Sequence, residues 1–527
     1  MSVADAALPG HWCVAPLGDV ADIQLGKMLD RKRTKGTPAQ YLRNINVRWG
    51  RFDLTDLSEM PFTLPELERF SIRTGDVLVC EGGEPGRAAV WKSGHSELKY
   101  QKALHRVRLH SDIVPDWLVF HLLHDAQLGS LADSFTGTTI GHLPREVFIE
   151  HPMRVPPSRE QQRIVETLES LFSRLDDAVA SLERVQRNLK RYRAAVLQAA
   201  VEGRLVPTEA ELARAEGRSF ESASELLARI LAERRRRWEE AELAKLRAKG
   251  KEPRNDAWKA KYVEPEPPKI PDLAPLPTGW CWSSLRDIAE LKGGITKDTK
   301  RAGEAKSLEV PYLRVANVQR GYLDLSEVKT ISASEQEIKE LVLQRGDILF
   351  NEGGDRDKLG RGWIWQEEIA QCIHQNHVFR ARLLHNGVQP KLISWYGNSS
   401  GQRYFIEQGK QTTNLASLNI TKLGALPVPL PPAAEQVRIV EEVERLLSVS
   451  DDAGHAVVSQ LTRCHRLRQS ILKWAFEGKL VDQDPSDEPA SVLLERIRAE
   501  RAWAPARPGR GRRARAAQGP ALPGAGG

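Results

Sequence analysis

From Ile164 onward the apolar residues of this chain fall at alternating steps of four and three: Ile164, Leu168, Leu171, Leu175, Ala178, Leu182, Val185, Leu189, Tyr192, Val196 and Ala199. That spacing places them on one seam of a single helix over about five heptads, which predicts a coiled coil rather than an ordinary surface helix. Pro156-Pro157 ends the preceding strand, and Ser158 with Gln161 has the spacing of a capping box. A second seam follows downstream at Ile439, Val443, Leu446, Ala453, Val457, Leu467, Ile471 and Trp474. It is looser, with Ser450, Gln460 and Cys464 at core positions, so a polar layer or a register shift is expected there. Two such seams in one chain most simply pack on each other. At about 1.5 Å per residue, a 40-residue helix spans roughly 60 Å and would serve as a spacer.

Ahead of each seam the period shortens. Val77-Leu78-Val79 and Val107-Arg108-Leu109, with Ile348-Leu349-Phe350 and Val378 to Leu383, are strand-like runs separated by Gly, Pro and Asp turns. They predict compact domains of α/β or α+β character. The similarity of these stretches is general, because the chain is written twice. Trp12-Cys13 returns as Trp280-Cys281, Tyr41-Leu42-Arg43 as Tyr312-Leu313-Arg314, and Gly75-Asp76 with Glu81-Gly82-Gly83 as Gly346-Asp347 with Glu352-Gly353-Gly354. Glu160-Gln161 returns as Glu435-Gln436, and Glu202-Gly203 as Glu477-Gly478, always in the same order. A tandem duplication of one large unit is implied, and a solenoid of short repeats is excluded. The expected organisation is a first globular domain over 1–157, a central long helix over 158–206, and a helical arm with a Pro-rich linker over 207–275. A second globular domain then covers 276–432 and a distal long helix 433–481, followed by a short helical arm over 482–504 and a disordered basic tail over 505–527.

Composition narrows the setting. The 527 residues suffice for several domains with their own cores, and the net charge of +7 permits contact with nucleic acid without demanding it. The five cysteines lack CxxC spacing, which argues against a zinc site or a disulfide framework. With no leader-like start and no apolar run of membrane length, a cytoplasmic protein is expected.

Catalytic spacing is scarce. The chain has no G-x-x-x-x-G-K-[ST] loop, no dinucleotide-binding glycine motif and no H-E-x-x-H. Asp76 with Glu97-Leu98-Lys99 resembles an acidic pair plus lysine that could hold Mg²⁺ for phosphodiester cleavage, yet the second repeat has Gln371-Cys372-Ile373 in that place. A turn aspartate is the plainer reading. The Glu-Gly-Gly pairs read first as glycines closing a hairpin, and second as a backbone approach to phosphate. Candidate DNA contacts are Arg31, Lys32, Arg33 and Lys35 with their counterparts Lys297, Lys300 and Arg301. To these are added Thr138 and Thr139, with Thr412, Thr413 and Asn414, and the matched pairs Gln101-Lys102 and Gln375-Asn376. Cationic side chains neutralise phosphates, while Gln, Asn and Thr can hydrogen-bond to base edges. Arg234 to Arg237 lie on a helix rich in Glu and read as a salt-bridged face.

Pro-Pro-x-x-Glu-Gln-x-Arg-Ile-Val at Pro156 and Pro431, Glu-Gly-(Arg/Lys)-Leu-Val at Glu202 and Glu477, and Leu-Pro-x-x-Trp at Leu8 and Leu276 together resemble the specificity subunit of type I restriction-modification systems. The resemblance implies duplicated α/β (α+β) target recognition domains, joined by two long helices that form an antiparallel coiled coil. It implies a non-catalytic subunit whose domains each read one half of a split, asymmetric sequence in double-stranded DNA. Two modification subunits would dock on it and restriction subunits could join them. It also implies that this chain binds no cofactor itself, and that S-adenosylmethionine, ATP and Mg belong to the partners. The alternatives are a coiled-coil scaffold without sequence readout and an autonomous Mg-dependent nuclease.

Overall fold

A computed structural model describes the chain except for residues 1–7, 29–35, 95–96, 111, 136–140, 254, 266–267, 269–272, 297–306, 355–357, 412–415 and 504–527. Two compact units result: residues 1–182 with 459–527, and residues 183–458. Each unit therefore takes the first part of one long helix and the last part of the other.

In the first unit, Ala21–Leu25, Leu104–Leu109, Val77–Cys80 and Ala88–Val90 form an antiparallel sheet in that spatial order. Val77–Cys80 is apolar at every position because both of its faces are covered. The helix Pro115–Leu128 lies over this sheet, with Trp117, Leu118 and Leu122 fully buried. A second sheet pairs Ser58–Phe62 and Thr37–Leu42 antiparallel and adds Lys99–Tyr100 parallel. Cys13–Pro16 pairs with Pro152–Val155 and closes the domain just before the long helix.

The second unit repeats this plan strand for strand. Its main sheet runs Ala289–Lys292, Val378–Leu383, Ile348–Asn351, Gly362–Ile364. Ser307–Leu313 joins Lys329–Ser334 antiparallel and Ile373–His374 parallel, and Cys281–Ser284 pairs with Pro427–Leu430. A small ribbon of Lys410–Gln411, Ala416–Ser417 and Gly353–Gly354 is added here. The strand-like runs read from the sequence are the central strands of the two main sheets.

The long helices are Ser158–Val201 and Ala433–Phe476, 44 residues each. In the first unit Ile164, Leu168, Phe172 and Leu175 share a core with Ile471, Leu472, Ala475 and Phe476. Arg163 reaches Asp487 at 2.7 Å while, further along the same helix, Asp176 meets Arg468. In the second unit Val196 and Ala200 pack with Ile439 and Val443, Arg193 meets Asp451, and Arg438 meets Glu209. Residue numbers rise on one helix as they fall on the other, so in each unit the pairing is antiparallel.

The seam is drier near the domains than away from them. Ile164, Leu168, Leu175, Ile439, Val443, Val457 and Ile471 are buried, and Leu171, Leu182, Leu189 and Leu446 are half-buried. Ala178, Val185, Tyr192, Leu467 and Trp474, expected in the seams, are exposed. Two helices shield only a narrow stripe, and a 3.6-residue turn drifts away from a strict heptad. Ser450 is buried and accepts a hydrogen bond from Arg193 Nε at 3.1 Å, so a polar layer stands where the second seam is interrupted.

The repeated motifs explain how each helix is tied down. Trp12 Nε1 donates to Glu160 at 3.1 Å and Trp280 Nε1 to Glu435 at 2.8 Å. Burial pushes both carboxyls up, and the indole N–H contacts oppose this. Gln161 donates to Pro156 O and accepts from the Val114 N–H, and Gln436 does the same with Pro431 and Gln389. The expected capping box is therefore absent: Ser158 Oγ donates to Asp112 O, and Gln161 is occupied elsewhere. The same glutamine bonds at Gln436 let the second helix begin at Ala433-Ala434 without a polar cap.

The post-helix arms span Ala223–Ala248 and Ala490–Trp503. The Ala223 N–H donates to Gly279 O, and the Ala490 N–H to His11 O. Each arm thus packs on the start of the globular domain from the other repeat. Arg235 is paired with Glu239, Arg236 with Glu233 and Glu240, and Arg237 with Glu233, as the charge pattern indicated.

Candidate nucleic-acid interface

At one edge of each main sheet the backbone builds the same hydrogen-bonded frame. In the first unit Lys27 N–H donates to Tyr100 O, Lys102 N–H to Lys27 O, Gln101 N–H to Leu42 O, and Leu104 N–H to Gln101 O. Glu81 N–H donates to Ala103 O and Leu143 N–H to Glu81 O. In the second unit the bonds are Ile295 to His374, Asn376 to Ile295, Gln375 to Leu313, Val378 to Gln375, Glu352 to His377, and Leu418 to Glu352. All six correspond pairwise. Gly26 and Gly294 permit the closest approach in the frame: a Cβ would lie 2.2 Å from Gln101 O in one and 2.0 Å from His374 O in the other.

This frame gathers the Gln101-Lys102 turn beside the Glu81-Gly82 turn, and Gln375-Asn376 beside Glu352-Gly353. Lys102 is exposed, and Gln101, Gln375 and Asn376 are half-exposed. Arg31, Lys32, Arg33, Lys35, Thr138, Thr139, Lys297, Lys300, Arg301, Thr412, Thr413 and Asn414 lie outside the described residues. Their described flanks, Lys27 and His142 in the first unit and Ile295 and Ala416 in the second, border the frame. Lys27 itself is consumed by Glu66 at 2.6 Å, whose carboxyl is held low first by Lys27 and then by the Thr63 backbone.

Sequence reasoning underrated the glutamate of each Glu-Gly-Gly motif. Glu81 Oε2 lies 3.2 Å from His142 Nδ1, and Glu352 Oε2 lies 2.5 Å from His377 Nδ1. The recurrence of the motif was the available signal. The histidines come from non-equivalent positions and carried none.

The aspartate weighed for Mg²⁺ has the structural role of the plainer reading. Asp76 accepts from Arg108 Nε and Nη2 at 2.7 and 2.8 Å and from the Arg73 N–H at 2.8 Å. Asp347 is held in the same way by Arg382 and the Gln344 N–H. Both carboxylates are buried, with their oxygens committed to arginine, while Glu97 is exposed and Lys99 is buried in its strand. The Gly-Asp motif is a structural ion pair, made twice.

A buried group of His121, Asp125 and His151 brings ligand-type atoms within 4.8 Å of one another. Its hydrogen bonding is unsuited to a metal. His121 Nε2 accepts the Arg154 N–H at 3.0 Å, so a neutral ring carries its proton on Nδ1, the atom facing Asp125 at 3.1 Å. His151 Nε2 and His124 Nδ1 also face that carboxylate, at 2.9 and 3.1 Å. Burial pushes the Asp125 carboxyl up, but the surrounding histidines, His121 foremost, more than reverse this and hold it well below the usual range. The five cysteines are free thiols. Burial pushes Cys80 up to about 11 and Cys372 up to about 12.

Known proteins resemble the chain over most of its length. A family model described as the type I restriction modification DNA specificity domain matches residues 277–453, which include most of the second domain and the start of its long helix. The specificity subunit of the type I restriction enzyme EcoKI from Escherichia coli K12 is 25% identical over 513 residues, covering 94% of this chain and 96% of that protein. Over nearly its whole length the chain is similar to type I specificity subunits. The StySPI specificity subunit of Salmonella potsdam is 24% identical with the same coverage. Among solved structures, the HsdS subunit from Thermoanaerobacter tengcongensis matches with a TM-score of 0.54 at 17% identity, covering 91% of this chain and all of that one. A chain from a study of type I R-M complex assembly and conformational transition matches with a TM-score of 0.60 at 18% identity, covering 90% of this chain and all of that one. Both likenesses concern the fold. No helix among the described residues is long and apolar enough to cross a membrane.

Proposed function

We propose that each globular domain of this specificity subunit reads one half of a split, asymmetric sequence in double-stranded DNA, and that the paired long helices set the gap between the halves. The observation that carries this is the frame built twice with identical backbone bonds and different outward residues, Lys102 and Ala103 in one unit, Asn376 and His377 in the other. An equivalent platform with different side chains suits two half-sites of different sequence. Two modification subunits dock on the chain, and restriction subunits can join them. S-adenosylmethionine, ATP and Mg²⁺ are used by those partners, while this chain supplies recognition and binds no cofactor.

The test is to co-express the chain with its methyltransferase subunit and map methylated adenines by single-molecule sequencing. Methylation is expected at one interrupted, non-palindromic motif and should be lost without this chain. A continuous or palindromic motif overturns the two-half-site reading. Unchanged methylation when the chain is omitted overturns recognition altogether and leaves the scaffold.

A further inference from the structure

The frame uses the backbone of Glu81 and Glu352 and leaves their side chains over. In each case the N–H and C=O are both bonded within the frame, so the carboxylate is not needed to close it. Each carboxylate nevertheless meets a histidine, and the two histidines arrive by different routes. His142 comes from the segment bridged to Gly82, whereas His377 comes from the turn after Ile373–His374. Both imidazoles are about half exposed, at 50% and 54% of the side chain, while the carboxylates are more sheltered, at 17% and 27%. Convergence of unrelated histidines on one equivalent carboxylate points to a shared use of the pair.

The chemistry of the pair follows from its tautomer. With Nδ1 turned to the carboxylate, a neutral imidazole carries its proton there and leaves a lone pair on Nε2. Oε1 of the glutamate is the other remaining acceptor, and no further partner for either is described. With the ring neutral, each pair presents two acceptors and no donor. In the major groove the donors are the exocyclic amino groups, N4 of cytosine and N6 of adenine, whereas guanine and the thymine carbonyl offer acceptors. A carboxylate placed toward a polyanion is repelled by phosphates, which makes it a poor backbone contact and a selective base contact.

We infer that Glu81 with His142, and Glu352 with His377, each select an amino-bearing base, cytosine or adenine, at one position of their own half-site. This rests on the two-half-site reading above. The pairs set specificity, and cations such as the exposed Lys102 supply affinity.

The experiment uses the full chain assembled with its methyltransferase subunit, a duplex carrying the split motif that this assembly methylates, and every single-base-pair variant of that duplex in competition binding. E81Q puts an amide donor where an acceptor stood. It is expected to lower discrimination by about tenfold to a hundredfold at one position of one half-site, leaving the other positions and the salt dependence unchanged. E352Q does the same in the other half-site only. His142→Ala and His377→Ala, which change exposed rings and no backbone bond, weaken discrimination at the same two positions and serve where a glutamate variant fails to assemble. A wild-type base profile in assembled E81Q and His142→Ala overturns the inference. So does a uniform loss of affinity for all duplexes, which would mark the pair as a structural clip. Absence of base preference in the wild-type assembly is a separate outcome, which overturns the two-half-site reading itself.

Discussion

His374 shows how far a single buried residue departs from its behaviour in an open chain. It is fully buried, Nδ1 donates to Val378 O at 2.6 Å, and Nε2 has no partner, so the neutral ring is the form that fits. Burial pulls its pKa down to about 4, only partly opposed by the bond to Val378. The unfolded chain, with an ordinary histidine near 6.5, therefore binds more protons than the folded one between those two values. The contribution of His374 is complete above about pH 6.5 and is lost progressively as pH falls toward 4, by about 3 kcal/mol in all. In thermal melts across that range, His374→Gln should flatten the acid side of the Tm curve of the second unit relative to wild type. Curves that stay parallel from pH 7 to pH 4 would show that the residue is hydrated or protonated in the fold.

At the scale of elements, the sequence announced what is local and concealed what depends on a distant partner. The heptads from Ile164 gave the first long helix, and continuous apolar runs such as Val77 to Val79 gave the central strands, because periodicity and burial are written along one segment. Asp76 left a metal-ligand reading open beside the plainer turn aspartate because its partner, Arg108, lies on a different strand and nothing in their spacing announces the pair. Gln161 read as half of a capping box for the same reason, its true partners being Pro156 O and the Val114 N–H. The Glu-Gly-(Arg/Lys)-Leu-Val motif was visible as a repeat, and the structure supplies its cause. Gly203 and Gly478 end the long helices in the left-handed region, at φ +68° and +65°. A Cβ at either would lie 2.5 Å from Pro277 Cγ or 2.3 Å from Pro9 Cγ, the prolines of the two Leu-Pro-x-x-Trp segments. G203A should destabilise the second unit by about 1–3 kcal/mol through backbone strain and this overlap, and G478A should do the same to the first. Equilibrium denaturation of each variant checks this. Wild-type midpoints would mean that the turn relaxes without cost.

The arrangement of the whole chain is what sequence repeats describe least well, because the repeats and the compact units do not coincide. Residues 459–503 belong to the second repeat by sequence and to the first unit by packing. Ile471, Leu472, Ala475 and Phe476, with Ala490, Leu493, Leu494 and Ile497, sit in one core with Trp12, Trp117 and Leu168. Phe476 stacks on Trp117 with centroids 4.4 Å apart, and Arg154 donates to Phe476 O at 3.0 Å. Losing one such large buried side chain costs about 3–5 kcal/mol, so losing the whole segment exceeds the stability of an ordinary domain. A chain ending at residue 458 keeps every residue of the second unit and strips the first of its lid. Calorimetry should show it losing the transition of the first unit while retaining that of the second, and a peptide of residues 459–503 added in trans should restore the missing transition. Two transitions in the shortened chain without the peptide would mean that residues 1–182 fold unaided. The segment would then be a passenger on a domain complete without it.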